Sequence, residues 1–179
     1  MDVIRLDVRD QILSGVIGTS CDAGDDLYLI QLRYVMPQIF NAYSGWSSNL
    51  YLENGITVTG VIRELVPCTE HAMLLRVSAD QYVPLLRVAA IRIPGAYYEG
   101  SFDYLPDPAL PPRSDHICFE KAVRAALSED ELVQIRAGGQ IVSHELVMES
   151  VFGMIVTACY NGIHPTFISS WHIDSFTIR

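Results

Sequence analysis

The stretch YLENGITVTGVIREL, residues 51–65, carries the most regular pattern in the chain. Apolar residues alternate with polar ones on both sides of Asn54-Gly55, and a period of two is typical of a half-buried strand. Asn-Gly supplies the two positive φ angles of a type I′ turn, whose twist matches that of the paired strands. The stretch therefore predicts a tight hairpin, and Gly60 predicts a sharp bend in its second strand.

The residues after the hairpin extend the β pattern. AMLLRVS (72–78) and QYVPLLRVAAIRIP (81–94) are predicted to be strands that are joined by a short turn. Pro84 removes a backbone donor, which places it at an edge or a bend. Bent, alternating strands of this kind predict a small antiparallel β-barrel over residues 1–94.

The residues before the hairpin are predicted to start this barrel. Residues 2–8, 14–20 and 27–35 are alternating or β-branched runs, which indicate strands. Residues 37–46 space their aromatic side chains three apart, which favours one helical turn after Pro37.

The segment 49–94 resembles the Sm-like barrel, and the bacterial Hfq-like proteins more than the eukaryotic Sm proteins. The alternating strand, Asn54-Gly55 and Gly60 between apolar residues correspond to the first motif of that family. The resemblance implies a small barrel and, for function, an RNA-binding ring. The RNA-binding Tyr-Lys-His of the Hfq-like proteins falls on Leu85-Leu86-Arg87, so the resemblance does not carry over those RNA contacts.

The segment 95–115 differs in composition from the rest, with four prolines and three tyrosines. We interpret it as a connecting loop, and loops of this length are often functional. Aromatic side chains are enriched at binding hot spots, so four of them form the predicted partner-binding cluster. The alternative is that these rings cap the core. The predicted cluster consists of Tyr97, Tyr98, Phe102 and Tyr104.

Residues 116–179 are predicted to form a helical part that ends in strands. Helical spacing and capping residues favour helices over 116–127, 128–137 and 143–162. Residues 166–179 alternate again and predict one or two terminal strands. The fold class is therefore α+β, with this part packed on the barrel as one globular unit, and no internal repeat is evident in the sequence.

The charge balance bears on the class of partner. The chain has 21 acidic and 12 basic residues, a net charge of -9, and no basic cluster. Nucleic-acid binding relies on Lys and Arg that neutralise phosphates, so this balance argues against it. An acidic surface favours a protein partner, a basic one in particular. No apolar run is long enough to cross a bilayer, and the expected location is the cytoplasm.

Cysteine and histidine form one candidate site for chemistry. Cys68, His71, His116 and Cys118 supply the thiolate and imidazole ligands of a tetrahedral zinc site, and the same groups could serve a cysteine nucleophile. The alternative is an exposed histidine and unrelated thiols, and we expect no cofactor and no metal. A His172–Asp174 pair on one strand face could position a base, although a surface hydrogen bond is the commoner role.

The favoured hypothesis is a non-catalytic protein-interaction module, such as a regulator, an inhibitor or an assembly subunit. Its tyrosine content and acidity favour it, and homo-oligomers are compatible with it. The first alternative is an Sm-like RNA-binding ring, and the second is a zinc-binding or Cys/His-dependent enzyme.

Overall fold

The computed structural model describes residues 23–67, 73–78, 80–107 and 115–179. The described chain is an α+β protein, as predicted. Its helices are α1 (Ala23–Ala42) and α2 (Asp115–Ala126). Its strands are β1 (Ser47–Leu52), β2 (Thr57–Pro67), β3 (Met73–Val77), β4 (Gln81–Pro84), β5 (Val88–Arg92), β6 (Val133–Ala137), β7 (Gln140–Ser143), β8 (Leu146–Val151), β9 (Met154–Ala158), β10 (Thr166–Ser169) and β11 (Ile173–Ile178).

The strands form two antiparallel sheets. Eight strands run in the order β4-β3-β2-β1-β5-β10-β9-β8, and three run in the order β11-β6-β7. The prediction of a small barrel over residues 1–94 is wrong, because β5 pairs with β10 instead of closing the sheet onto β4. The larger sheet is therefore open and runs through both halves of the chain.

The predicted hairpin at residues 51–65 is confirmed, as β1 and β2. Its turn differs from the prediction, since only Gly55 takes a positive φ, of 81°. The Gly55 amide donates to the Leu52 carbonyl (3.1 Å), and the Leu52 amide donates to the Ile56 carbonyl (2.8 Å). The Asn54 side chain accepts from the Ile56 amide (3.1 Å). A three-residue loop with a left-handed glycine therefore replaces the expected type I′ turn.

The predicted bend at Gly60 is also confirmed. The first half of β2 pairs with β1 and the second half pairs with β3. A Cβ on Gly60 would stand 2.8 Å from Cγ1 of Val77 and 2.3 Å from Oγ of Ser78. Only glycine allows the end of β3 to approach this closely, and the approach lets one strand serve two neighbours.

The region before the hairpin is helical where the sequence predicted a strand. Residues 27–35 lie within α1, which continues through Pro37, and the predicted strands at 2–8 and 14–20 lie outside the described residues. The apolar run is nearly continuous, so it fits both the helical period and the strand period. The pattern of buried side chains is that of a helix. The most deeply buried apolar side chains of the helix recur at helical spacing and are Leu32, Val35, Met36 and Ile39.

The C-terminal part is richer in strands than predicted. The helix at 116–127 is confirmed as α2, but residues 133–137 form β6, and residues 143–162 contain β8 and β9. The apolar stripe that suggested a helix arises because every residue of β9 is buried, which hides the strand alternation. Gly153, with a φ of 74°, makes the turn between β8 and β9.

The second half of the described chain repeats the first half, strand by strand. In each half a helix precedes strands in which the first pairs with the last. Residues 85 positions apart are equivalent: Leu50 faces Ile91 across β1 and β5, and Ile135 faces Phe176 across β6 and β11. The sequence analysis missed this internal repeat.

The irregularities of the sheets repeat at the same spacing. The β1–β5 pairing skips Ala89 and the β6–β11 pairing skips Asp174. The β2–β3 pairing skips Arg63 and the β8–β9 pairing skips Met148. Bulges are specific local features, so their recurrence supports a true structural repeat. We call α1 through β5 the first unit and α2 through β11 the second unit, in which β7 and β8 correspond to the two halves of β2.

Two connections between strands differ in length between the units, whereas the 3-10 turn before the last strand is common to both. A 3-10 turn follows β4 at Leu85–Arg87 and another follows β10 at Ser170–His172. The β2–β3 connection is longer than the β8–β9 connection, at residues 152–153. The β3–β4 connection is shorter than the β9–β10 connection, at residues 159–165. These opposite changes cancel, so the spacing of 85 is restored after β10.

Each side of the sheets buries its own group of apolar side chains. The larger cluster lies between α1 and the strands of the first unit and includes Phe167 from the second unit. The smaller cluster packs Val123 of α2, and Leu127 just after that helix, against β6 and β9. Phe167 therefore ties the second unit into the core of the first. Neither helix of the described chain combines the length and the apolar character needed to span a membrane.

Candidate interaction site

The predicted aromatic cluster lies mostly against the core. Tyr98, Phe102 and Tyr104 are partly buried and pack against the larger apolar cluster. The Phe102 ring lies 5.9 Å from the Tyr98 ring and 5.2 Å, edge-on, from the Phe167 ring. Offset and edge-on pairs of this kind add to the stability that burial gives. These three rings hold the connecting segment in place.

Polar contacts fix the same segment on both units. The Tyr98 hydroxyl lies 3.1 Å from the Tyr104 hydroxyl and donates to Glu149 in β8 (3.2 Å). Burial raises the pKa of both tyrosines, so both hydroxyls keep their protons at neutral pH. On the other side, Gln38 of α1 donates to the Asp103 carbonyl (2.8 Å). The segment from 95 to 107 is an ordered strap between the units.

Tyr97 differs from the other three predicted contact residues. Its side chain is 65% exposed, while its backbone bridges to Ile163 in the second unit. A rigid backbone with an exposed aromatic side chain suits a contact residue, because little entropy is lost on binding. Tyr97 is the member of the predicted cluster that a partner can reach.

The junction between the units is a pairing of strand edges. Three residue pairs join β5 to β10: Arg92 with Thr166, Ile91 with Phe167, and Ala90 with Ile168. The junction also carries an ion pair, which is described next. The units are thus joined by backbone hydrogen bonds and apolar side chains together.

A half-buried ion pair crosses this junction. Two nitrogens of Arg92 donate to the two carboxylate oxygens of Glu145, at 2.5 and 3.0 Å. The Arg92 side chain is 21% exposed and that of Glu145 is 9% exposed. Arg92 also donates to Thr166 (3.2 Å), and the Cys159 thiol donates to Glu145 (3.2 Å). The fork geometry fixes how the units are oriented.

The first hairpins of the two units also touch. A Cβ on Gly138, in the β6–β7 turn, would stand 2.5 Å from the Leu52 carbonyl oxygen. The Thr57 hydroxyl donates to Gln140 (2.7 Å), which donates in turn to the Ile56 carbonyl (3.3 Å). Backbone therefore lies against backbone at this second part of the junction.

His172 lies at the junction rather than in the predicted pair. Its Nδ1 is 2.9 Å from the Ser169 hydroxyl, and its Nε2 is 3.7 Å from a carboxylate oxygen of Glu53. Glu53 is also paired with Arg87. Asp174 accepts from the Gly139 amide (2.6 Å) and contributes only a field at the imidazole. Burial lowers the pKa of His172, and Glu53 and Asp174 offset part of that effect.

The lowered pKa of His172 makes stability depend on pH. The unfolded chain binds a proton near the ordinary histidine pKa of about 6.5, where the folded imidazole stays neutral. Stability is therefore full above this pH and falls on acidification, by at most about 1.4 kcal/mol per pH unit from this group. Urea unfolding at pH 7.5 and 5.5 measures the loss, which His172→Gln should reduce. An equal loss in the variant contradicts the prediction.

The strand edges form the part of the site that the sequence analysis did not find. Among the described residues, no strand pairs with the outer edge of β4 or of β11. Tyr82 on β4 is 53% exposed and Ile178 on β11 is 46% exposed. β7 and β8 also lie at the ends of their sheets. Together they correspond to β2, and each half of β2 likewise pairs with one neighbouring strand only. In the sequence, these edges are indicated by the similar arrangement of apolar and polar residues in 82–93 and 167–178, which are 85 positions apart.

Only two of the four predicted metal and catalytic residues fall within the described structure. Cys68 and His71 lie outside the described residues. His116 and Cys118 are both in α2. Among the described residues, no group of three or more His, Cys, Asp and Glu could hold a metal ion.

The positions of the Sm-like RNA signature form the 3-10 turn after β4. Leu85 is buried, Leu86 is exposed, and Arg87 is paired with Glu53. Other arginines are paired in the same way. Ion pairs join Arg76 to Glu64, Arg92 to Glu145 and Arg124 to Asp107.

Comparison with known proteins adds no relative. No family model matches the chain, and neither a curated protein nor a solved structure matches it. Function is therefore inferred from the geometry of the junction and of the strand edges.

Proposed function

We propose that this protein is a non-catalytic assembly subunit, a protein-interaction module that holds other polypeptide chains at the edges of β4 and β11. The observation that carries the proposal is the exposure of Tyr82 and Ile178 on two unpaired strand edges of the described chain. An exposed edge offers backbone donors and acceptors in register, and large apolar side chains beside them add affinity and selectivity.

Charge supports a protein partner over RNA. The net charge is -9, and the arginines at the Sm-like positions and nearby are paired with carboxylates. Phosphate would have to displace these carboxylates while approaching an acidic surface, which weakens binding. A basic protein would be attracted by the same surface.

Kinship with the Sm-like family remains part of the proposal, at the level of architecture. It is supported by the bent strand β2, which pairs with β1 and then with β3 around Gly60. The proposed location is the cytoplasm, since the four cysteines are scattered as in proteins of reducing compartments. No described feature favours the zinc or Cys/His enzyme alternative.

Crosslinking and capture of the tagged full chain in its own cells tests the proposal. We expect Tyr82→Lys and Ile178→Lys each to reduce the captured partner about tenfold, because a charge on a strand edge opposes pairing. Tyr97→Ala tests the exposed residue of the predicted aromatic cluster in the same assay. Phe119→Lys is the control, since Phe119 is 51% exposed on α2 and distant in sequence from both edges.

The controls separate binding from folding. Each variant must keep the unfolding midpoint of the wild type, which holds for most exposed substitutions. Capture that is the same for the wild type, both edge variants and Tyr97→Ala would contradict the proposal. Equal losses with Phe119→Lys would show that the assay reports general surface charge.

A further inference from the structure

The junction between the units joins two different edges. The last strand of the first unit, β5, pairs with β10, the next-to-last strand of the second unit. Such a contact is heterologous, because each unit contributes a different surface. A heterologous contact leaves the complementary pair of edges uncovered, one at each end, and it can repeat.

The two edges that remain are the counterparts of the pair already joined. β4 is the next-to-last strand of the first unit, as β10 is of the second. β11 is the last strand of the second unit, as β5 is of the first. Both lie at the ends of their sheets in the described chain. The chain therefore presents both halves of the contact that it already makes within itself.

The spacing of 85 residues specifies the register of the missing contact. Arg92 and Thr166, which are opposite each other and hydrogen-bonded, correspond to Thr177 and Gln81. The second pair, Ile91 with Phe167, corresponds to Phe176 with Tyr82, and the third corresponds to Ser175 with Val83. Pro84 falls outside these three pairs, so its missing N–H does not interrupt them.

We propose that β11 of one chain pairs with β4 of a second copy of the same chain, in this register. The inference rests on the proposed function, of which it names the partner. Repetition of the contact gives a closed ring or an open filament, depending on the rotation between units. The exposed Tyr82 is then covered by its neighbour, with Phe176 directly opposite.

The contact between chains differs from the internal junction in charge. The counterparts of Arg92 and Glu145 are Thr177 and Gly60, so the buried ion pair has no equivalent. Backbone pairing and apolar contact remain, and these are not screened by salt. Chains with a net charge of -9 repel one another, and salt weakens that repulsion. Association therefore persists, or increases, as salt is raised.

Native mass spectrometry and sedimentation of the full chain test the proposal, with multiples of 20.0 kDa expected. Three double variants at exposed positions test the register. Gln81→Lys/Thr177→Lys and Gln81→Glu/Thr177→Glu place like charges opposite each other and should weaken association at least tenfold. Gln81→Glu/Thr177→Lys places opposite charges there and should associate as the wild type does, since opposed charges pair across strands.

The outcomes distinguish this inference from the proposed function. A wild-type chain that stays monomeric at its highest soluble concentration overturns the inference, and capture of other polypeptides at the same edges would still support the proposed function. Equal association of all three double variants overturns the register. Association that disappears at high salt, as an ionic contact would, also overturns the proposal.

Discussion

Gly138→Ala is expected to destabilise the fold by about 4 kcal/mol, and Gly139→Ala, at the next position, by about 1 kcal/mol. Both glycines have positive φ angles, 56° and 76°, so both substitutions introduce backbone strain. Only at Gly138 would the new Cβ meet backbone, with the Leu52 carbonyl oxygen at 2.5 Å. Gly139 has no neighbour within 4 Å of that point. The difference isolates the close contact between the units.

Urea unfolding of the wild type and both variants measures this difference. The Leu52 carbonyl belongs to a paired strand and cannot move without disturbing the β1–β5 pairing, so relief by local adjustment is limited. Hydrogen exchange of β5 and β10 should rise in Gly138→Ala and stay close to the wild type in Gly139→Ala. Two variants of equal stability would show that the units are not in contact at this turn.

Arg92→Met is expected to destabilise the protein by about 3 kcal/mol, because it leaves the Glu145 carboxylate buried without its counter-charge. Arg76→Met removes a similar ion pair with Glu64 on the surface, where the side chains are 33% and 52% exposed, and should cost less than about 1 kcal/mol. The two substitutions delete the same chemical group, so burial is the main difference between them.

A double variant sharpens the test. Arg92→Met/Glu145→Leu replaces the junction pair with apolar side chains and should recover much of the stability that Arg92→Met loses. Denaturation at neutral pH provides the free energies for the double-mutant cycle. If Arg92→Met and Arg76→Met are equally stable, the Arg92–Glu145 pair does not hold the junction.

The sequence predicted local structure best where turn chemistry was explicit. Asn54-Gly55 and Gly60 located a hairpin and a bend that the structure confirms, and the helix at 116–127 was found from its spacing. The type of the turn was not predictable, because Asn54 reaches its hydrogen bond with Ile56 without a positive φ.

Prediction failed where burial is complete. β9 is buried at every position, and a period cannot be read when both faces of an element are buried. In α1 the run 27–35 is nearly continuous in apolar residues, so it fits the strand period as well as the helical one. The β-branched residues of β8 and β9, together with Gly153, were the available evidence against a helix there. Contacts with residues distant in sequence stabilise the strand, and a short window of sequence does not contain that information.

The candidate site was missed for a different reason. The units share few identical residues, and the shifts before and after β9 cancel, so β9 is the strand that departs from the spacing of 85. The aromatic residues at 97–104 attracted attention by composition, but three of the four serve the core. Edge exposure depends on strand order, which became visible only with the fold.

The covalent link between the two units has a consequence for behaviour on dilution. The β5–β10 contact is made within one polypeptide, so its formation is governed by a fixed effective concentration that the strap of residues 95–107 maintains. Diluting the protein can separate chains but cannot separate units. The smallest particle present at any concentration is therefore a pair of units with one contact already formed, which would leave only every second contact in a larger array subject to mass action.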